Sequence, residues 1–398
     1  MIQNPFGILA VLIAIEAAVL FFSSHAKTKK FFHFPPSMFW IYFLPMVFSS
    51  ANVIPHQSVL YAGIGTYVLP ASLILLLVAA DLKAILKLGK RALGMMLAGT
   101  LGVILGAPVV LFIFKRWLPA DAWSGFAALS ASWTGGSANM IAVKEALGTP
   151  DAVFLPMVVV DTLVAYSWMG ILIFFAGAQI AYDKWNHSDR TVIEELHQKV
   201  GSLQSGGPSS SGAAGRAGLF PQWRSKGIVL AVGVAGALVS VAVAYGLSGV
   251  TRIPQNTWLI LIASTLGIVL SFTPAKELEA HGASKIGYVL LYFVLTSIGA
   301  RASLGTIVSA PLLVVAGLVW VLIHALFLVV AGRLTRTPLC LLAAASQANI
   351  GGPASAPVVA AIYEPALAPV GLLLGVFGNV IGTWCGLLCA PLCKWVFS

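Results

Sequence analysis

The sequence predicts an all-α polytopic membrane protein of two inverted five-span repeats, each with a re-entrant segment broken at a Gly-Gly pair. Three observations carry this. Hydrophobic residues make up 59% of the 398-residue chain and charged residues only 9%, with a mean hydropathy of +0.94. A soluble domain has about 25% charged residues. Apolar runs close to the ~20 residues that a span needs recur along the whole length. Two Gly-Gly pairs, Gly135-Gly136 and Gly351-Gly352, sit among Ser, Thr, Asn and Gln inside these runs, each near the end of its half.

The first span is expected at 6–23. No basic stretch precedes it and no Ala-x-Ala site follows, so it reads as a retained span rather than a signal peptide. Spans at 38–54, 61–80 and 92–114 follow, with loops rich in Lys and Arg before the first and the third of them. A broken segment at 123–148 comes next, then Thr149-Pro150-Asp151, which reads as a helix start with Thr149 as cap. The fifth span is expected at 153–177. The second half repeats the order, with spans at 227–247, 256–272, 285–300 and 311–331, a broken segment at 338–363 and a last span at 367–391. The chain thus divides into an N-terminal repeat 1–181, a linker 182–226 and a C-terminal repeat 227–398. The linker contains Ser205-Gly-Gly-Pro-Ser-Ser-Ser-Gly-Ala-Ala-Gly215, which has nothing to bury and reads as flexible.

Five crossings per half make the halves inverted, and the basic residues test this. With both termini outside, 17 of 23 Lys and Arg residues fall in inside loops, including Lys27, Lys83, Lys184 and Arg333. If the broken segments crossed fully, that bias would fall. The linker is therefore expected in the cytoplasm of a multi-pass cell-membrane protein.

Glycine pairs free the backbone from helical geometry. Inside a bilayer such a break is tolerated where protein or a wet cavity receives the freed groups, and matched breaks in two halves point to a transporter's binding site. Helix N-termini at the tips would offer unpaired N–H groups to a carboxylate. The expected solute-binding residues are Ser132, Thr134, Gly135, Gly136, Ser137 and Asn139 at the first tip, and Ser346, Gln347, Asn349, Gly351, Gly352 and Ser355 at the second. The competing reading is close helix packing by small residues.

Asp161 lies inside the fifth span. A carboxylate there costs about 2.5–3.5 kcal/mol on insertion scales, so it should face the interior and hold a coupling ion, or else make a structural hydrogen bond. Asn379 sits at similar depth in the tenth span and is its expected counterpart. Glu16 is either a buried functional acid or a packing contact. Asp81 and Arg301 lie at span ends, Asp81 as a solvated ion pair and Arg301 as a snorkelling side chain. Lys144 and Glu145 are expected near the surface, and His324 as a structural residue. Cys385, Cys389 and Cys393 share a helix face that suits packing. No His or carboxylate companions suggest a metal site, and no nucleotide-binding, metalloprotease or nucleophile-elbow motif suggests an enzyme. The net charge of +10 is explained by topology, not by nucleic acid.

The stretches Ala131-Ser-Trp-Thr-Gly-Gly-Ser-Ala-Asn-Met-Ile-Ala-Val-Lys-Glu-Ala-Leu-Gly148 and Val159-Val-Asp-Thr-Leu-Val-Ala-Tyr-Ser-Trp-Met-Gly170 resemble the YjcL-like family of uncharacterised integral membrane proteins (domain of unknown function 819), over nearly the whole chain. More distantly, the layout is similar to sodium symporters for citrate and glutamate. Those carry Gly-Gly-x-Gly at each tip, whereas Gly135-Gly-Ser-Ala138 and Gly351-Gly-Pro-Ala354 lack the last glycine. The resemblance implies a homodimer with elevator-like motion.

The expected function is secondary active transport, with Na⁺ as coupling ion and no other cofactor, of a small carboxylate-bearing solute such as an amino acid, dipeptide or organic acid. The partners expected are that solute, membrane lipid and a second copy of the chain. The alternatives are a cation/proton antiporter and a non-transporting membrane receptor or assembly factor.

Overall fold

The computed structural model describes residues 1–33, 37–196, 198, 222–251, 253–301 and 310–398. These residues are helical with no strand. In the first half, α1 is Pro5–Ser24, α2 Ser37–Ser50, α3 Val59–Gly63 and α4 Leu69–Val78. Then come α5 Leu82–Leu86, α6 Lys90–Phe114, α7 Ala122–Gly135, α8 Ser137–Leu147, α9 Asp151–Phe174 and α10 Gln179–Asn186. In the second half, α11 is Gln222–Ser248, α12 Gln255–Ser271, α13 Ala283–Arg301 and α14 Ala310–Thr335. They are followed by α15 Leu339–Ile350, α16 Gly352–Tyr363 and α17 Ala368–Trp395.

Local chemistry sets these boundaries. Asn4 caps α1 by accepting from Phe6 N at 2.9 Å, and Pro5 takes the first position, where a missing N–H costs nothing. Ile8, Leu12, Ile15, Glu16 and Val19 are its buried face, a single helical stripe. The opposite face exposes Phe6, Ile13 and Phe21, as a helix facing lipid would. Helices α3 and α4 join through a π-helical turn at Ile64–Val68 into one apolar stretch.

Among the described residues, eight helical stretches are long and apolar enough to cross a membrane, or nine if α12 and the bent Pro274–His281 turn count as one. Ten spans were expected. The expected span 38–54 is a 14-residue helix, about 21 Å long at ~1.5 Å per residue, and α12 has 17 residues. Both are short against a ~30 Å hydrocarbon core.

The helices form two groups, each drawing on both halves. In the first group α2 packs on α13, α4 on α12 and α13, and α11 on α12 and α4. In the second, α6 packs on α14, α7 on α17, and α9 on α14. The main packing between groups is α12 against α8. Helices α7 and α8 form one hairpin and α15 and α16 another, both within the second group.

The segment 182–226 is not linker throughout. Its start is docked: Asp183 accepts from Leu339 N at 3.0 Å, at the first residue of α15, and Asn186 donates to the carbonyls of Gly332 and Thr337. An acceptor is needed there because Pro338 precedes α15 and supplies no side-chain cap. The Gly- and Ser-rich run 205–215 lies outside the described residues, as do Lys199, Arg216 and Arg252.

Candidate functional site

Each hairpin turns at its Gly-Gly pair, and within each pair the two glycines have separate tasks. Gly136 has φ +78° and Gly352 φ +66°, in the left-handed region where glycine is favoured. Gly135 is needed for space: a Cβ there would fall on the Gly378 carbonyl oxygen and on Asn139 Nδ2. A Cβ at Gly351 would meet Gln347 Nε2 and Ser355 Oγ. At the ends of α7 and α15, Gly136 N bonds Ser132 O at 2.6 Å and Gly351 N bonds Gln347 O at 2.8 Å. Helices α8 and α16 begin at the tips with no side-chain cap. Their first N–H groups and the positive ends of their dipoles therefore face the tips.

The two tips meet at a pair of neighbouring cavities between the helix groups. The first, about 350 Å³, is lined by Ser132, Gly136, Ser137, Asp161, Gln347, Gly351 and Ser355, with Thr162 and Tyr166. Met38, Phe39, Tyr292 and Leu295 close it from the first group. The second, about 480 Å³, is lined by Gly135, Gly136, Ser137, Asn139, Gly351, Gly352 and Asn379. Leu73, Leu76, Tyr288 and Tyr292 face them there. Gly136, Ser137, Gly351 and Ala354 border both cavities.

Ser132 Oγ donates to Asp161 Oδ2 at 3.0 Å, which ties α9 to the first hairpin at the cavity wall. Gln347 is 1% exposed, and its Nε2 donates to Ser355 Oγ at 2.7 Å. Among the described residues Gln347 Oε1 has no hydrogen-bond partner. Asn379 is not beside Asp161. It lines the second cavity, and its backbone carbonyl accepts from Asn139 Nδ2 at 3.1 Å.

Other expected binding residues brace the hairpins instead. Thr134 bonds its own helix at Ser130 O. Asn139 lines the second cavity but is clasped at both ends, with Nδ2 on Gly135 O and Oδ1 accepting from Thr383. Asn349 Oδ1 accepts from Thr100 Oγ1 at 2.9 Å, and its Nδ2 donates to Met96 O at 3.1 Å. Ser346 lines neither tip cavity. Its Oγ accepts from Trp168 Nε1 at 2.8 Å and lies 2.9 Å from His324 Nε2. His324 Nδ1 is 2.9 Å from Gly99 O, a carbonyl that can only accept. The Gly99 carbonyl therefore requires a proton on His324 Nδ1.

Four further expectations are corrected. Lys144 is buried at 3% exposure, because Glu145 and Asp151 each lie 2.8 Å from its ammonium. Arg301 does not snorkel free: it reaches across from α13 to Glu145 at 2.7 Å and Asp151 at 3.6 Å. The four charges join the two groups of helices. Asp81 is a helix cap, accepting from Ala84 N at 3.1 Å. Thr149 does not cap α9, since its hydroxyl bonds Ser124 O. Of the cysteines, Cys389 reaches toward Ile104 O on α6 at 3.6 Å.

Tyr292, Met38 and Phe39 were not expected at the site. Nothing in their spacing marks them. They become visible only once α13 and α2 are placed opposite the tips.

The sequence matches the family described as Protein of unknown function (DUF819) over residues 10–395. It is 29% identical over 358 residues to the uncharacterized membrane protein YjcL of Bacillus subtilis (strain 168), covering 86% of this chain and 85% of that one.

Proposed function

The chain belongs to the DUF819 family, and on that premise we propose that it is a secondary active transporter, sodium-coupled, for a small carboxylate-bearing solute. One observation carries the reading: two uncapped helix N-termini, one from each half, face the same pair of cavities. Unpaired N–H groups and dipole ends from two sides attract one anion. Asp161 and the Ser132 hydroxyl would supply two of the hard oxygen ligands of a Na⁺ ion beside that anion.

The two helix groups support an elevator-like motion. The first supplies a wall of Met, Phe, Tyr and Leu with little polar attachment to the tips. The hairpins are bonded and packed within the second group. The second would slide along the first, within a homodimer held by the first. The exchanged packing of α2 on α13 and α12 on α4 supports reading the halves as inverted repeats with re-entrant hairpins. The basic-residue bias favours both termini outside the cell membrane.

A cation/proton antiporter is the second reading, favoured by the placement of Asp161 at the first cavity. Proteoliposomes with an inward Na⁺ gradient separate the two, using labelled amino acids and organic acids. Uptake that collapses without Na⁺, and that loses its Na⁺ dependence in Asp161→Asn, supports symport. Na⁺ movement that needs only a pH gradient supports antiport. Absence of any flux would return the chain to a receptor or assembly role.

A further inference from the structure

The open acceptor at the second tip narrows the solute class. Gln347 is almost wholly buried, lines the first cavity, and has its amide nitrogen fixed on Ser355. Its oxygen has no partner among the described residues. A buried acceptor left unsatisfied is costly, so a bound solute that supplies a donor gains from filling it. The N–H groups at the start of α8 and α16 ask for the opposite charge in the same space. Phe39, Phe154, Val158 and Leu295 give the cavity an apolar stretch of wall, beside the polar side chains of Asp161, Thr162 and Tyr166.

We infer that the solute is a zwitterion, an α-amino acid with an apolar side chain, whose carboxylate meets the helix N-termini and whose ammonium donates to Gln347 Oε1. This rests on the carboxylate reading above and goes beyond it, because an organic acid would leave the Gln347 oxygen unpaired. The donor matters as much as the anion. A site built to receive a hydrogen bond discriminates sharply against an analogue that lacks it.

The test is thermal stability of the purified full chain against three probes, L-leucine, 4-methylpentanoate and L-leucinamide. They share a side chain and differ in the ammonium or the carboxylate. L-leucine should raise the melting temperature, and 4-methylpentanoate should bind about tenfold or more weaker. L-leucinamide, which lacks the anion, should give no shift. In Gln347→Leu, L-leucine and 4-methylpentanoate should become equal, and Gln347→Glu should restore the preference for L-leucine. A merely structural role for Gln347 would lower stability without changing that preference. Equal binding of 4-methylpentanoate and L-leucine to the wild type would overturn the inference and leave the carboxylate reading standing. If L-leucinamide shifts as strongly as L-leucine, or no probe shifts at all, both readings fall.

Discussion

At the first tip the crowded glycine lies against backbone; at the second it lies against the ends of two side chains. Gly135 is closed in by the Gly378 carbonyl and Gly382 Cα, on a helix that runs the length of the second group. Gly351 is closed in by Gln347 and Ser355, which have rotamers to spare. The positive-φ glycines differ as well. Gly136 has Asn379 Oδ1 nearby, whereas Gly352 stands in open space. Both turns are held by hydrogen bonds, from Asn139 to α17 at the first tip and from Asn349, Ser346 and His324 to α6 and α14 at the second, but only the first is also closed in by backbone. The second keeps the unsatisfied acceptor.

That difference can be broken most sharply at the crowded glycines. Gly135→Ala should cost more than the usual ~1–3 kcal/mol of overpacking, because carbonyl and Cα atoms of α17 cannot rotate away. Gly351→Ala should cost less, with Gln347 and Ser355 swinging aside. Melting temperatures of the two purified variants compare them directly, and equal losses would contradict the contrast. At the open site, Gly352→Ala should cost only about 1–2 kcal/mol, the left-handed backbone penalty.

An effect comparable to that at Gly352 is expected where the two helix groups join. Arg301→Gln removes a guanidinium from Glu145 and Asp151 but leaves Lys144 between them. Arg301 is a quarter exposed, so stability should fall by about 1–3 kcal/mol, the range for charge-assisted hydrogen bonds. Under the elevator reading, transport should be altered more than the melting temperature, because the lost contact spans the sliding surface. An unchanged transport rate would make the cluster purely structural.

The smallest effect belongs to the surface pair Arg91–Asp189. Thr191 hydroxyl and Arg91 hold the Asp189 carboxyl down at about 2. A depressed pKa gives a contribution that is present above the unfolded value and lost only as pH falls through the folded one. The pair is exposed and screened, so Asp189→Asn should leave melting temperature and its neutral-range pH profile unchanged. A measurable shift there would show that the docked start of the linker matters more than its exposure implies.

Much of the helical layout was legible in the sequence, because a long apolar run needs no partner to be recognised. The tips were legible for a similar reason: two glycine pairs amid polar residues conflict with a plain membrane helix. Asp161 also stood out by its cost alone. What could not be read was rotation, meaning which side of a helix each polar residue turns to its neighbours. Ser346 and Gln347 are adjacent in sequence, yet one bonds Trp168 and His324 while the other lines the first cavity. Their partners lie as far as 178 residues away, beyond anything local spacing can encode. Lys144 looked like a surface residue because Arg301, its companion in the cluster, is in the other half. The expected span 38–54 overran α2, which ends at Ser50, for a related reason: hydropathy does not show where a helix stops.

The central claim is that both tips border one site, reached in turn from the two sides of the membrane. Ser137 and Ala354 each line both cavities. The native cysteines are buried, so they can be replaced and single cysteines placed at these two positions. The direct measurement is labelling of each by an impermeant maleimide, added to one side or the other of vesicles of known orientation. The account predicts that both positions are labelled from both sides, and that a condition favouring one side does so for both together. Labelling of either position from one side only, or opposite responses at the two tips, would contradict it.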